Sequence, residues 1–270
     1  MPRLLTLADL HLDKWAAKQR DPLALMPKGW FEQFDMVIIA GDLVDKPKAR
    51  LASALAQIGQ YVPLDRVQIF PGNHCFYHHV LDDEVRLAQI VINAGAGYAQ
   101  CKPLALGDVR ILPCTLWTDL THPTIHPDII AGDLQRGMND YRYIRIAKAG
   151  YRKAKAFDMR AVHQRHLAWL RTQLEMPHDG PSIVVTHHAP LLDQLGAEGT
   201  LAHAYGSDLL GFITEMRPSA WLYGHTHQAH EVWIGKTNIK NVSLGYPFDL
   251  SNAEARERIE AAAMDVPGSA

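Results

Sequence analysis

Met36-Val37-Ile38-Ile39-Ala40-Gly41-Asp42 holds five apolar residues without polar alternation, then a glycine and a carboxylate. A short, β-branched run of this kind reads as a strand buried on both faces, as in parallel sheets. The pattern recurs outward in both directions. Arg3 to Ala8 precedes Asp9-Leu10-His11, and Arg66 to Phe70 precedes Pro71-Gly72-Asn73-His74. Ser182 to Thr186 precedes His187-His188, and Ala220 to Tyr223 precedes Gly224-His225-Thr226-His227. Val109 to Leu112 reads as a further strand before Pro113. Glu231 to Ile234 and Asn238 to Leu244 read as a closing pair joined by Gly235-Lys236-Thr237.

Helical periodicity lies between these runs, over Ala49 to Gln60, Leu81 to Ala94 and Met159 to Glu175. In the last, Val162, His166, Trp169, Leu170 and Leu174 share one face. Ser207 is placed to cap a helix over Asp208 to Met216, and Ser251 with Glu254 forms a capping box. Strands alternating with helices predict an α/β fold around largely parallel strands. One domain over 1–270 accommodates all of this, with an insertion at about 113–157 where the alternation breaks. That insertion, basic from Arg142 to Lys155, reads equally well as a cap over a site or as a solvated excursion. The segment from Asp265 to Ala270 reads as a frayed tail.

The 270 residues are 47% hydrophobic with a formal net charge of −2, enough for a large core and no bulk charge to draw nucleic acid or membrane. Cys75, Cys101 and Cys114 are an odd set without C-x-x-C spacing, which fits a reducing, cytoplasmic setting. No apolar run has the length of a membrane span. Nothing in the sequence fixes an oligomeric state. The fifteen histidines stand out, and their positions decide what they mean.

Ligands in α/β sheets gather beyond the carboxyl ends of strands. Five apolar runs here end in Asp, Asn or His. Any one is a weak signal, since a strand-end Gly-Asp is usually a turn; together they share one context and complementary chemistry. Imidazole and carboxylate donors suit two divalent or transition cations such as Mn, Fe or Zn, and the absence of cysteine donors points away from structural zinc. Asp9 and His11, two apart on an extended segment, project to one side. Asp42 has two oxygens with which to bridge two cations, and Asn73 offers a neutral carbonyl oxygen. His187, His225 and His227 offer nitrogens.

In this order, Asp9-x-His11, Gly41-Asp42, Gly72-Asn73-His74, His187 and Gly224-His225-x-His227 resemble the calcineurin-like metallophosphoesterase superfamily. The resemblance implies a four-layer α-β-β-α sandwich of two mixed sheets flanked by helices. It implies that Asp9, His11 and His227 hold one metal, that Asn73, His187 and His225 hold the other, and that Asp42 bridges them. His74 would stand beside the substrate as general acid. Two cations roughly 3.5–4 Å apart would then lower the pKa of a shared water and neutralise phosphoryl charge.

Two departures stand out. Many relatives carry an acid directly after the Gly-Asn-His histidine, where this chain has Cys75; Asp45 and Asp193 are candidates to replace it. Gly41-Asp42-Leu43-Val44-Asp45-Lys46 resembles a segment of Ser/Thr protein phosphatases in which arginine follows the second aspartate. Lys46 cannot form a bidentate fork, which argues against protein-phosphatase activity. The expected activity is therefore hydrolysis of a small phosphomonoester or phosphodiester, with a nucleotide among the candidates. A nuclease on the same scaffold would need a basic track. A non-catalytic metal-binding scaffold is disfavoured because every motif ligand is present. Within the insertion, Asn139-Asp140-Tyr141-Arg142 stands out: Asn139 and Arg142 are candidate substrate contacts, and Arg142, Arg145 and Lys148 reach an anionic substrate if the insertion folds over the metals, with a solvated basic face the favoured alternative. His188, next to a candidate ligand, reads equally as a support for it or as a polar loop residue; His163 and His166 on the long helix read as packing or surface residues, and the other histidines have no ligand spacing.

Overall fold

The computed structural model describes residues 1–192 and 199–266. In chain order its strands are β1 (Arg3–Leu7), β2 (Met36–Ala40), β3 (Val67–Phe70), β4 (Gly97–Tyr98), β5 (Leu104–Leu106), β6 (Val109–Cys114), β7 (Arg145–Ile146), β8 (Arg152–Lys153), β9 (Ser182–Thr186), β10 (Ala220–Tyr223), β11 (Glu231–Ile234), β12 (Thr237–Asn241) and β13 (Ala263–Asp265). Its α-helices are α1 (Leu12–Ala17), α2 (Pro47–Ile58), α3 (Val85–Asn93), α4 (Pro127–Gly137), α5 (Asp140–Tyr143), α6 (Ala156–Glu175), α7 (Leu210–Met216) and α8 (Asn252–Ala261).

Among the described residues there are two large sheets, ordered β13-β1-β2-β3-β4 and β11-β12-β10-β9-β6-β5, and the small hairpin β7-β8. The inner strands run parallel, and the antiparallel strands β13, β5 and β11 lie at the edges. Both large sheets are therefore mixed. The purely apolar runs explain the layering. In β9, Ile183 and Val185 point into the core shared with the first sheet, while Val184 points outward. In β10, Ala220 and Leu222 point inward, and Trp221 and Tyr223 outward. The outward side chains meet Leu170 of α6 and Phe212 and Ile213 of α7. Burying Val184 and Ile239 in this way stabilises the fold by about 1.5–3 kcal/mol each. On the first sheet, Leu51 of α2 and Leu87 and Val91 of α3 pack against Ile69, Phe70 and Tyr98. The result is helix, sheet, sheet, helix.

Parallel strands send their carboxyl ends to one side. The two sheets join there, where Ala8 bridges Ser243, the Ala8 amide donates to Val242 O, and the Leu244 amide donates to Ala8 O. Every motif of the sequence pattern issues from this seam.

Several expectations need correction. Pro113 and Cys114 are not insertion: they extend β6 and pair with Val185 and Thr186 of β9. Asp265 is not a frayed end, since β13 pairs with β1 and Val266 is fully buried. Thr237 belongs to β12, opposite Ile234, so a two-residue turn at Gly235-Lys236 closes that hairpin. Ser207 does not cap α7; its hydroxyl accepts from the Asp119 amide. Ser251 and Glu254 do form a capping box, on α8.

Candidate metal centre

Asp9 and His11 reach the seam by left-handed backbone, φ 55° and 39°, and not by the extended segment expected of them. Asp42, His225 and His227 also have positive φ, at 53°, 70° and 55°. Non-glycine residues in this region are uncommon, each costs about 1–3 kcal/mol, and such residues cluster at functional sites. Here the turn is what aims each side chain inward at the end of its strand. Two glycines make room. Gly41 has φ +91°, and a side chain there would strike the His187 ring and the Gly72 backbone. A side chain at Gly72 would overlap Asp42 Oδ1 and the His187 imidazole.

Asp9, His11, Asp42, Asn73, His187 and His225 are buried and His227 is half-buried. Ligand atoms of Asp9, His11 and His227 lie within 4.8 Å of one another, and so do those of Asp9, Asp42, His187 and His225. Asp9 thus belongs to both groups. Its Oδ2 accepts from the His225 amide and the Ser243 hydroxyl, both at 2.7 Å. Its Oδ1 is buried with no hydrogen-bond partner, 3.3 Å from His227 Nε2 and 4.0 Å from His11 Nε2. A buried carboxylate oxygen left unpaired is costly, and a cation among these donors relieves it. The residues present therefore fit a metal.

The second group is set by its outer hydrogen bonds. His187 Nδ1–H donates to Ala40 O at 2.9 Å, turning Nε2 inward, 3.0 Å from Asn73 Oδ1 and 3.4 Å from Asp42 Oδ2. Burial lowers the His187 pKa, but Asp42 and Asp9 outweigh burial and raise it to about 9. Without a metal Nε2 therefore favours its proton, which a cation bound there would have to displace. Burial pushes His11 and His225 down to about 3, so both are neutral donors. Burial raises the Asp42 carboxyl, yet His187, His74 and His11 hold it well below the usual carboxylate range.

His74 stands at the rim. Its Nδ1 is 2.7 Å from Asp45 Oδ1, and Lys14 Nζ donates to the other Asp45 oxygen at 2.6 Å. Asp45 thus fills the role left open by Cys75, while Asp193 lies outside the described residues. Cys75 is a buried thiol that burial pushes up to about 12. Burial disfavours protonated His74, but Asp42, Asp45 and Asp140 overcome it and raise the pKa. The Tyr77 ring stacks on His74 with centroids 4.3 Å apart.

Three contributors have no role at the centre in the sequence reading. Asp140 is buried, and its Oδ1 accepts from Asn73 Nδ2 at 2.8 Å, fixing the amide so that Oδ1 faces His187. Ser243 and Tyr246 follow β12; Ser243 holds Asp9, and Tyr246 stacks on His11 at 4.6 Å. The rule that flags the other strand ends, a polar cluster after an apolar run, does not reach Ser243, which sits between Val242 and Leu244 after a largely polar strand, or Tyr246. Asp140 carries no such signal, because its partner is 67 residues away. His188 is buried beside His225, with Nδ1 3.1 Å from Thr115 O.

A cleft of about 520 Å³ opens over the centre, lined by His74, Tyr77, Asn139, Tyr143, Tyr246 and Phe248. Asn139 thus lies where a substrate contact was expected. Arg142 does not: it lines an adjoining pocket, its guanidinium donating to Asn139 Oδ1 and Arg136 O. The insertion therefore borders the site through α5. A separate cleft of about 560 Å³ between α7 and the β11–β12 turn has no convergent acids or histidines. Among the described residues, no helix is long and apolar enough to cross a membrane.

Comparison with known proteins agrees with the geometry. The chain is 24% identical over 211 residues to an uncharacterized protein of Acanthamoeba polyphaga mimivirus, covering 70% of this chain and 71% of that one. Its fold resembles that of a phosphopantetheinyl hydrolase from Mycobacterium tuberculosis, with TM-score 0.68 and 20% identity over 95% of this chain and 92% of the other. It also resembles a putative 5′-nucleotidase from Staphylococcus aureus, with TM-score 0.50 and 14% identity over 88% of this chain and 48% of that one. The family model for calcineurin-like phosphoesterases matches residues 2–229, a span that includes every strand-end motif. With those motifs converging on one seam between two mixed sheets, the chain belongs to the calcineurin-like phosphoesterase family.

Proposed function

We propose that this protein hydrolyses a small phosphorylated ester with two cations, one held by Asp9, His11 and His227, the other by Asn73, His187 and His225, with Asp42 shared. The observation that carries the reading is Asp9 Oδ1, buried without a hydrogen bond and faced by two imidazole nitrogens. When bound, such cations supply an activated water and neutralise phosphoryl charge. The protein's own residues do the rest. The cleft above the seam admits the ester, and the Tyr246–Phe248 stack gives its non-reacting part an apolar wall. His74, turned by Asp45 and with its pKa raised by nearby acids, presents Nε2–H to the leaving oxygen as general acid. The names of the two structural relatives associate this fold with phosphorylated compounds; for this chain the substrate rests on its own cleft.

The test is turnover of aryl phosphate monoesters and bis-aryl phosphate diesters across Mn, Fe and Zn. The expected result is metal-dependent hydrolysis, stimulated by Mn and reduced on the order of a hundredfold or more in His74→Ala. Absence of turnover over the whole panel contradicts the reading.

A further inference from the structure

The pocket that takes Arg142 is cationic. About 410 Å³ in volume, it is lined by Lys48, His78, His79, Arg142, Tyr143 and Arg145, among others. His78 and Tyr143 also line the cleft over the metal centre, so the two hollows adjoin. Among the described residues, Lys48, Arg142 and Arg145 make no ion pair. Each guanidinium donates to neutral oxygens: Asn139 Oδ1 and Arg136 O for Arg142, Tyr151 O for Arg145. Most of their donors stay available.

A second observation singles this pocket out. His79 is 3% exposed, and neither ring nitrogen has a hydrogen-bond partner. Buried imidazole nitrogens are rarely left unpaired, and such exceptions point to a group that completes them. Burial pushes the His79 pKa down to about 4, with Lys48 and Arg86 adding to the effect, so the ring is a neutral donor there. Asp83 lies near it, and its carboxylate and backbone favour the protonated ring without offsetting burial. Unneutralised guanidinium forks, an ammonium and an unsatisfied imidazole N–H together match phosphate oxygens, which accept charge-assisted, bidentate hydrogen bonds.

We infer that this pocket binds a second phosphoryl group of the substrate, so that the ester is bis-phosphorylated, with one phosphate over the metal centre and the other held by Lys48, Arg142 and Arg145. The inference rests on the proposed hydrolase reading for the first phosphate. His78 and Tyr143, with ring centroids 5.0 Å apart, form the saddle that the linking part of the molecule crosses. The near-neutral charge of the whole chain favours a small bis-anion over a long polyanion.

The test is calorimetric titration of the full chain, supplied with Mn, using alkane-α,ω-bisphosphonates of increasing length and alkylphosphonates of matching length. In the wild type, one length of bisphosphonate should bind about tenfold tighter or more than its monophosphonate. In Arg142→Gln/Arg145→Gln that ratio should fall towards one. Lys48→Gln, a change at an exposed side chain, should lower it in part and guards against misfolding of the double variant. No preference at any length, or a ratio unchanged in both variants, overturns the inference. So does a short single-stranded oligonucleotide that binds more tightly than every bisphosphonate. The catalytic reading is separable: a bisphosphonate preference without aryl phosphate turnover removes the hydrolase and keeps the anion pocket, and the converse does the opposite.

Discussion

Two pairs of buried histidines teach different lessons. His187 and His225 lie at strand ends; His163 and His166 lie on α6, also buried. The α6 pair is turned to backbone: His166 Nδ1 accepts from the Leu116 amide at 3.1 Å, and His163 Nδ1 is 3.3 Å from Trp117 O. Those contacts tie the start of the insertion to the long helix. His187 instead spends Nδ1 on a carbonyl and turns Nε2 onto Asn73 and Asp42. Burial is common to both pairs. What marks His187 as a candidate ligand is that its remaining nitrogen faces the Asn73 and Asp42 side-chain oxygens.

That contrast can be broken at graded cost. Asp42→Ala removes the carboxylate shared by the centre, and should lower turnover of an aryl phosphate by about a thousandfold or more, the equivalent of about 4 kcal/mol; metal content of the purified protein should fall with it. Asp140→Ala touches no proposed cation but frees the Asn73 amide. Loss of such an outer partner typically costs about 10–100-fold in metal affinity, read by competition with a chelator. His166→Ala should do the reverse. It leaves the Leu116 amide unpaired and should cost about 1–3 kcal/mol in denaturant unfolding, with metal content unchanged. If His166→Ala lost metal, the distinction drawn here would fail.

The smallest effect sharpens the same point. The Cys101 thiol is lowered to about 6, first by Cys114 and then, against burial, by His166. Half-buried Cys101 should therefore alkylate at neutral pH with a midpoint near 6, since thiolate forms above that pH, while buried Cys75 and Cys114 stay protected. In His166→Ala the midpoint should rise, as measured by mass spectrometry across pH.

The contrast also explains what the sequence made legible. Strands β1, β2, β3, β9 and β10 are readable because burial on both faces demands mostly apolar runs, interrupted only by Thr6 in β1 and Gln68 in β3, and the polar cluster after each run has no packing reason to exist. The short strands β4, β7 and β8 have two residues each, too few for any periodicity. The edge strand β13 is hidden because it has only three residues, Ala263-Met264-Asp265, the last of which reads as the start of a tail until it pairs with β1. At the site, the inward groups announced themselves, whereas their supports did not. Asp45 could be named because a missing acid after His74 required one nearby. Asp140 and Ser243 act across 67 and 234 residues of sequence, and only the fold brings them to Asn73 and Asp9. Arg142 is a candidate substrate contact in sequence because its segment is basic, with a solvated face the competing reading; it lies in the pocket beside the cleft.

The central claim is that buried donors from both sheets surround a pair of cations. Crystals of the protein grown with Mn, with anomalous diffraction recorded above the Mn edge, test it directly. The account predicts two peaks, about 3.5–4 Å apart, one beside Asp9, His11 and His227 and the other beside Asn73, His187 and His225, with Asp42 between. Peaks elsewhere on the molecule, or none at the seam with the metal in excess, would contradict it.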